Sequence, residues 1–278
     1  MQKDQFFTRR RLLLASAAAV GAAGTTAGVL MAGGEETART VSVPVAGPQA
    51  RQAPKSSAFR LRPLTGYGPP RSAPKKLKVR HEPILRISTK GRRMMLTFDD
   101  GPHPDYTPHI LDTLAKYDVR AMFFVCGEMA VDNKELIARM AEDGHVVGNH
   151  TWTHPLLTQL DRGDIKSEME RTSDVIEDAY GERPQWFRAP YGAWNKAAFQ
   201  LGAKMGMEPM AWTVDTTDWE VPGTSTIIDR VESGAAPGVV VLSHDAGGDR
   251  SQSVRAIREY LPYLLDSGYH LTVPPRRI

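Results

Sequence analysis

The sequence predicts an α/β fold, a small or incomplete (β/α) barrel of about seven strands, on three observations. From about residue 90 onward, short apolar runs alternate with amphipathic helical patterns, as parallel βαβ units require. About seven such repeats fit into fewer than 190 residues. Five of the runs end in polar clusters, at the strand ends where a barrel carries its chemistry. An open doubly wound sheet shares the alternation, and the polar clusters favour the barrel.

The chain before residue 90 has a different character. Its 278 residues allow one or two domains, and 41% hydrophobic content supplies a sizeable core. The net charge of +3 is uneven: residues 1–90 hold 16 Lys and Arg against 4 Asp and Glu, and residues 91–278 hold 19 against 28. A basic arm therefore precedes an acidic globule. Such an arm favours anionic surroundings, a membrane surface or wall polymers rich in phosphate. It lacks the interleaved aromatics that stack bases, which argues against a nucleic-acid partner.

Thr8-Arg9-Arg10-Arg11 precedes an uncharged, mildly hydrophobic stretch from Leu12 to Gly34. Residues 1–34 read as an export signal of twin-arginine type, or as an uncleaved membrane anchor. Either reading predicts a secreted or wall-associated protein that meets the membrane only during export or through that anchor. Residues 35–88 carry eight prolines, from Pro44 to Pro83, and no sustained period of 2 or 3.6. They read as a basic Pro-rich linker, mostly disordered, ahead of a globular domain at 89–278. Cys126 is the single cysteine, so an intrachain disulfide and a thiolate metal cluster are both excluded.

Within the domain the expected strands are Met94–Phe98, Ala121–Val125, His145–Gly148, Trp186–Arg188, Met210–Val214, Val239–Ser243 and Tyr269–Val273. Helices are expected near 107–117, 132–143, 162–180, 194–205, 224–233 and 251–267. The first strand stops in Asp99-Asp100-Gly101-Pro102. Side chains alternate along a strand, so the two acids leave it in different directions. One can bind a metal while its neighbour takes a proton, although Asp and Gly are also ordinary turn residues.

After the third strand come His150 and His154. Two imidazoles and one carboxylate make a three-ligand metal site with an open position, and Asp100 is the best-placed acid. Pro155 biases His154 away from helical backbone, so a loop or first-turn geometry is expected there. After the fourth strand, Arg188 is a natural tether for a carboxylate. After the fifth, Asp215-Thr216-Thr217-Asp218-Trp219 offers acids and a flat indole wall for a sugar ring. The sixth ends in Leu242-Ser243-His244, a third candidate histidine. His81, His103, His109, His145 and His270 read as structural or surface residues, with His103 bordering the mouth.

Taken in order, Thr97-Phe98-Asp99-Asp100-Gly101-Pro102, His150-Thr-Trp-Thr-His154, Arg188-Ala-Pro190-Tyr191, Asp215-Thr-Thr-Asp218-Trp219 and Leu242-Ser-His244 resemble the five motifs of the NodB-homology polysaccharide deacetylases, carbohydrate esterase family 4. The resemblance implies a distorted β/α barrel that removes acetyl groups from N-acetylated sugars with a divalent metal, usually zinc, or another transition metal such as cobalt. It implies Asp100, His150 and His154 as metal ligands and Asp99 as general base oriented by Arg188. It further implies His244 as general acid held by Asp215, and the Tyr191 N–H as an oxyanion donor. Trp219, Leu242 and Pro190 would bind substrate, the first two around the acetyl methyl.

With the basic arm, this favours peptidoglycan N-acetylglucosamine as substrate, chitooligosaccharide next. An acetyl-xylan esterase fits the same site. A non-catalytic wall-glycan-binding protein is the alternative from another class; loss of a ligand or of Asp99 would support it, and all are present. A barrel hydrolase of small cyclic amides fits poorly with an export signal and a wall-crossing arm.

Overall fold

A computed structural model describes residues 77–274. The expected export signal and most of the linker lie outside these residues. Among the described residues no helix is long and apolar enough to cross a membrane.

The scaffold is a parallel sheet of eight strands: β1 (Arg93–Asp99), β2 (Met122–Val125), β3 (Val146–Asn149), β4 (Trp186–Phe187), β5 (Glu208–Pro209), β6 (Val214–Asp215), β7 (Val240–His244) and β8 (His270–Leu271). Their order is β5-β4-β3-β2-β1-β7-β6, with β8 beside the start of β1. β1 is shared: Arg93 and Met94 pair with β8, and Met95 to Asp99 pair with β7. The sheet curls into an incomplete barrel that stays open between β5 and β6, the α/β class expected.

Among the described residues seven α-helices cover it: α1 (Thr107–Lys116), α2 (Gly127–Asp132), α3 (Lys134–Glu142), α4 (Arg162–Tyr180), α5 (Lys196–Lys204), α6 (Thr224–Gly234) and α7 (Ser251–Asp266). Their ends are chemically marked. The Asp161 side chain accepts the N–H groups of Gly163 and Asp164 at the start of α4, and Gly181 at φ 89° ends that helix. Asn195 caps α5 in the same way.

Alternation along β1 decides where its side chains go. Met94, Leu96 and Phe98 join the layer under the helices, with Ile110 and Leu114 of α1 and Ile257 of α7. Met95 joins the interior cluster of Met122, Phe124, Met210 and Val240. Thr97 and Asp99 share the phase of Met95, so a carboxylate is carried into the barrel at its C-terminal mouth. Both faces are buried, which is why β1 reads as a continuous apolar run.

Three differences from the sequence expectation have physical causes. The strand expected at Met210–Val214 is replaced by β5 and β6 on either side of it, because the Met210 and Ala211 carbonyls turn inward to accept hydrogen bonds from Arg188. The helix α2 starts at a glycine, which reads as a breaker. Gly127 is required there because a Cβ would stand 2.2 Å from the Trp152 ring. Finally, the chain is bonded into the domain before residue 89. Ile84 exchanges hydrogen bonds with Pro209 and Ala211, Ile87 donates to Gly238, and both isoleucines pack on the interior cluster.

Candidate active site

The turns after β1, β3, β4, β6 and β7 converge on one cleft of about 650 Å³. Asp99, Asp100, His150, His154, Tyr191, Asp215, Trp219, Leu242 and His244 all line it. Ligand atoms of Asp100, His150 and His154 lie within 4.8 Å of one another. The Asp100 Oδ1 atom is 3.5 Å from His150 Nε2 and 3.4 Å from His154 Nε2. That oxygen is buried and has no hydrogen-bond partner. A buried oxygen without a donor is costly, and two imidazole nitrogens facing it make a set that a divalent cation would complete.

The surrounding chain orients these groups. His150 Nδ1 lies 2.8 Å from the Arg188 carbonyl, which makes Nδ1–H the donor and turns Nε2 to the cleft. Asp100 (φ 77°) and His154 (φ 56°) sit in the left-handed region, as does Thr151 between the histidines. The expected loop geometry at His154 is therefore met. The loop is clamped from below: Glu168 of α4 accepts the N–H groups of Trp152 and Thr153, each at 2.8 Å, and Arg171 covers the Trp152 ring at 3.9 Å. Burial and the neighbouring His150 lower the His154 pKa to about 4, so it is a neutral imidazole at physiological pH. Burial pushes Asp100 up, but His150 and His154 outweigh it and hold the carboxyl well below the usual range.

Arg188 is fully buried at the barrel centre. Its Nη1 donates to Asp99 Oδ1 at 2.6 Å and to Thr97 Oγ1 at 2.8 Å. Its Nε and Nη2 donate to the Met210 and Ala211 carbonyls, and the plane lies over the Phe124 ring. Burial lowers the Arg188 pKa from its ordinary value, and the Asp99 charge opposes that shift. The expected tether between Arg188 and Asp99 is thus present as a buried ion pair. Asp99 Oδ2 lies 3.6 Å from His150 Nε2, at the edge of the three-residue cluster.

The histidine of β7 has a different partner from the one expected. His244 Nδ1 is 2.6 Å from Asp218 Oδ1, not from Asp215, and the His244 N–H donates to Asp218 Oδ2. A short 3-10 turn at Asp218–Glu220 aims the Asp218 side chain inward, where Ser253 also donates to it. The Asp215 carboxylate instead accepts the N–H of Thr217, a local turn bond, and its charge acts on Arg188. Both acids stand in one five-residue motif, and spacing alone cannot choose between them. Burial opposes charge on His244, but the Asp218 hydrogen bond outweighs it and raises the pKa to about 9.

Pro190 is a second correction. It is buried and does not line the cleft; it shapes the turn that exposes Tyr191 at φ 60°. Tyr191 is 68% exposed and edges the His154 ring at 4.5 Å, and Trp219 is 52% exposed. Both therefore stand where a polymer can reach them. His103 accepts the Asp105 N–H, stacks on Tyr106 and stays outside the cleft wall. Glu128, Met129, Trp152, Trp212 and Arg250 also line the cleft. The motifs give no signal for Glu128, in the first turn of α2, or for Arg250, just before α7, which approach the cleft only in the folded chain.

The chain is similar to known polysaccharide deacetylases. The profile of the family described as polysaccharide deacetylase matches residues 86–210. A chitooligosaccharide deacetylase of Rhizobium leguminosarum bv. trifolii is 37% identical over 205 residues, covering 70% of this chain and 95% of that protein. A peptidoglycan N-acetylglucosamine deacetylase of Listeria monocytogenes is 36% identical over 211 residues, covering 76% of this chain and 44% of its own length. Among solved structures, the Bc1960 peptidoglycan N-acetylglucosamine deacetylase has a TM-score of 0.66 at 32% identity, covering 68% of this chain and 89% of that one.

Proposed function

Because the chain belongs to the polysaccharide deacetylases of carbohydrate esterase family 4, hydrolases of acetyl amides, we propose that it is an exported, zinc-dependent N-deacetylase of cell-wall glycan. The observation that carries this reading is the convergence of Asp100, His150 and His154 on the bare Asp100 oxygen, with Asp99 and His244 on the same cleft wall.

In this reading Asp100, His150 and His154 would hold the cation. When bound, it supplies Lewis-acid polarisation of the acetyl carbonyl and acidifies an adjacent water. Asp99 takes the proton from the attacking water, and Arg188 holds its carboxylate aligned through the 2.6 Å hydrogen bond. The Tyr191 N–H donates to the developing oxyanion. His244 gives its proton to the leaving amine, and Asp218 keeps that imidazole charged. Leu242 and Trp219 receive the acetyl methyl, and Asp215 remains an acid of the cleft wall beside Arg188.

Peptidoglycan N-acetylglucosamine is the favoured polymer, since a basic Pro-rich arm after a twin-arginine signal would hold the domain beside an anionic wall. Chitooligosaccharide is the second reading, supported by the Rhizobium relative that matches over 95% of its length. Acetate release from both glycans, with and without chelator, tests the proposal. Chelation should reduce release to background and added zinc should restore it. Release indifferent to chelation, or none with zinc present, would refute it.

The proton donor makes a separate prediction. With His244 at about 9, kcat/KM should decline only above that pH. Asp218→Asn removes the charge that raises it, so the alkaline limb should move down toward the ordinary histidine value of about 6.5. An unmoved limb would remove the pair from proton transfer. The linkage sign is also defined. A pKa raised from 6.5 to about 9 contributes stability that is complete below 6.5 and lost as pH climbs through 9.

A further inference from the structure

We propose that Asp245 is a positioning residue for the cation site, bracing the turn that presents Asp99 and Asp100 through the Gly101 N–H and the Thr107 hydroxyl. This rests on the reading of Asp100, His150 and His154 as ligands. Asp245 follows His244 but takes no part in the cleft wall, so it does not touch substrate. It is 1% exposed, and among the described residues it has no cationic partner within ion-pair distance. A buried carboxylate without a counter-charge is costly unless its hydrogen bonds serve the fold.

Both of its oxygens are committed to the segment after β1. Oδ1 accepts the Gly101 N–H at 3.1 Å and Oδ2 accepts the Thr107 hydroxyl at 2.5 Å. The Thr107 oxygen in turn accepts the His103 N–H at 2.8 Å, so one carboxylate ties both ends of the Gly101–Thr107 loop. Its own backbone N–H donates to the Asp99 carbonyl at 3.1 Å. A Cβ on Gly101 would stand 2.2 Å from this carboxylate, so only glycine fits the approach.

The turn needs such a brace. Asp100 is held at φ 77°, a conformation that a non-glycine residue adopts at a cost. Its side chain must point at two imidazoles, not relax into a turn. Without Asp245, the Gly101 N–H and the Thr107 hydroxyl lose their acceptor, and nothing else described fixes the peptide after Asp100 from the β7 side. Burial, with the nearby Asp100 and Asp99 charges, also raises the Asp245 pKa to about 7, consistent with a group kept for its hydrogen bonds.

The test measures zinc dissociation constants by chelator competition on the full chain, with thermal unfolding of each variant without metal. Asp245→Ala should raise the zinc Kd 10- to 100-fold, the usual effect of losing an outer partner of a metal site. Asp245→Asn keeps an acceptor for Gly101 and should stay within about threefold of the parent, a difference below one hydrogen bond. If Asp245→Ala does not fold, Thr107→Val removes one of the two donors and should raise Kd about twofold to tenfold. Unchanged affinity in folded Asp245→Ala, or in Thr107→Val, overturns the proposal. So does Asp245→Asn losing as much as Asp245→Ala. A parent chain that binds no zinc would instead refute the cation site itself.

Discussion

Asp99→Asn is expected to lower kcat for acetate release by a factor of about 100 to 10,000, the range a positioned general base contributes. The substitution is nearly isosteric and removes the ability to take a proton, along with the negative charge that faces Arg188. Arg188 can still donate to the remaining carbonyl oxygen, so the interior hydrogen bonds at 2.6 and 2.8 Å are largely kept. Zinc affinity should therefore stay close to the parent, while the thermal midpoint falls because the buried Arg188 loses its counter-charge. Asp99 Oδ2 is 3.6 Å from His150 and outside the three-residue cluster. Steady-state kinetics with zinc saturating, paired with a zinc titration, separates the two effects. Full turnover in the variant would move the proton acceptor elsewhere in the cleft.

The second large effect is on the fold. Arg188→Met deletes the guanidinium that pairs at 2.6 Å with a carboxylate that is 2% exposed. Removing one member of a buried pair strands the other and destabilises by about 3–5 kcal/mol. For a domain of this size that is a fall in thermal midpoint of roughly 6–20 °C. The loss also frees the Met210 and Ala211 carbonyls and uncovers the face of Phe124. Activity should fall with it even at temperatures where the variant is folded, because Asp99 is no longer aligned. Calorimetry of the two variants makes the contrast: Asp99→Asn keeps the hydrogen bonds that Arg188 donates, and Arg188→Met loses them together with the ion pair. A midpoint for Arg188→Met within about 2 °C of the parent would show the pair to be energetically idle.

The sequence made the strand-mouth residues legible because they sit next to the apolar runs that become strands. The runs at Met94–Phe98 and Val239–Ser243 are long and β-rich, and β1 and β7 form there. The acids and histidines that end such runs must then share one end of the sheet. Asp100, His150 and His154 were readable in this way. Side-chain pairing was not. Asp215 and Asp218 stand three apart in one loop, and only the 3-10 turn at Asp218 decides which of them meets His244. Residues 210–213 differ from expectation for a related reason. Their apolar character predicts a strand, but their carbonyls serve a buried guanidinium instead of a neighbouring strand. Asp245 carries no signal in the sequence, because its partners Gly101 and Thr107 are distant along the chain.

The account turns on whether one cation sits among Asp100, His150 and His154. Anomalous diffraction from crystals of the zinc-loaded chain measures this directly. The account predicts a single peak about 2.0–2.2 Å from an Asp100 oxygen and from Nε2 of both histidines. A peak elsewhere, or none at zinc saturation, would contradict it.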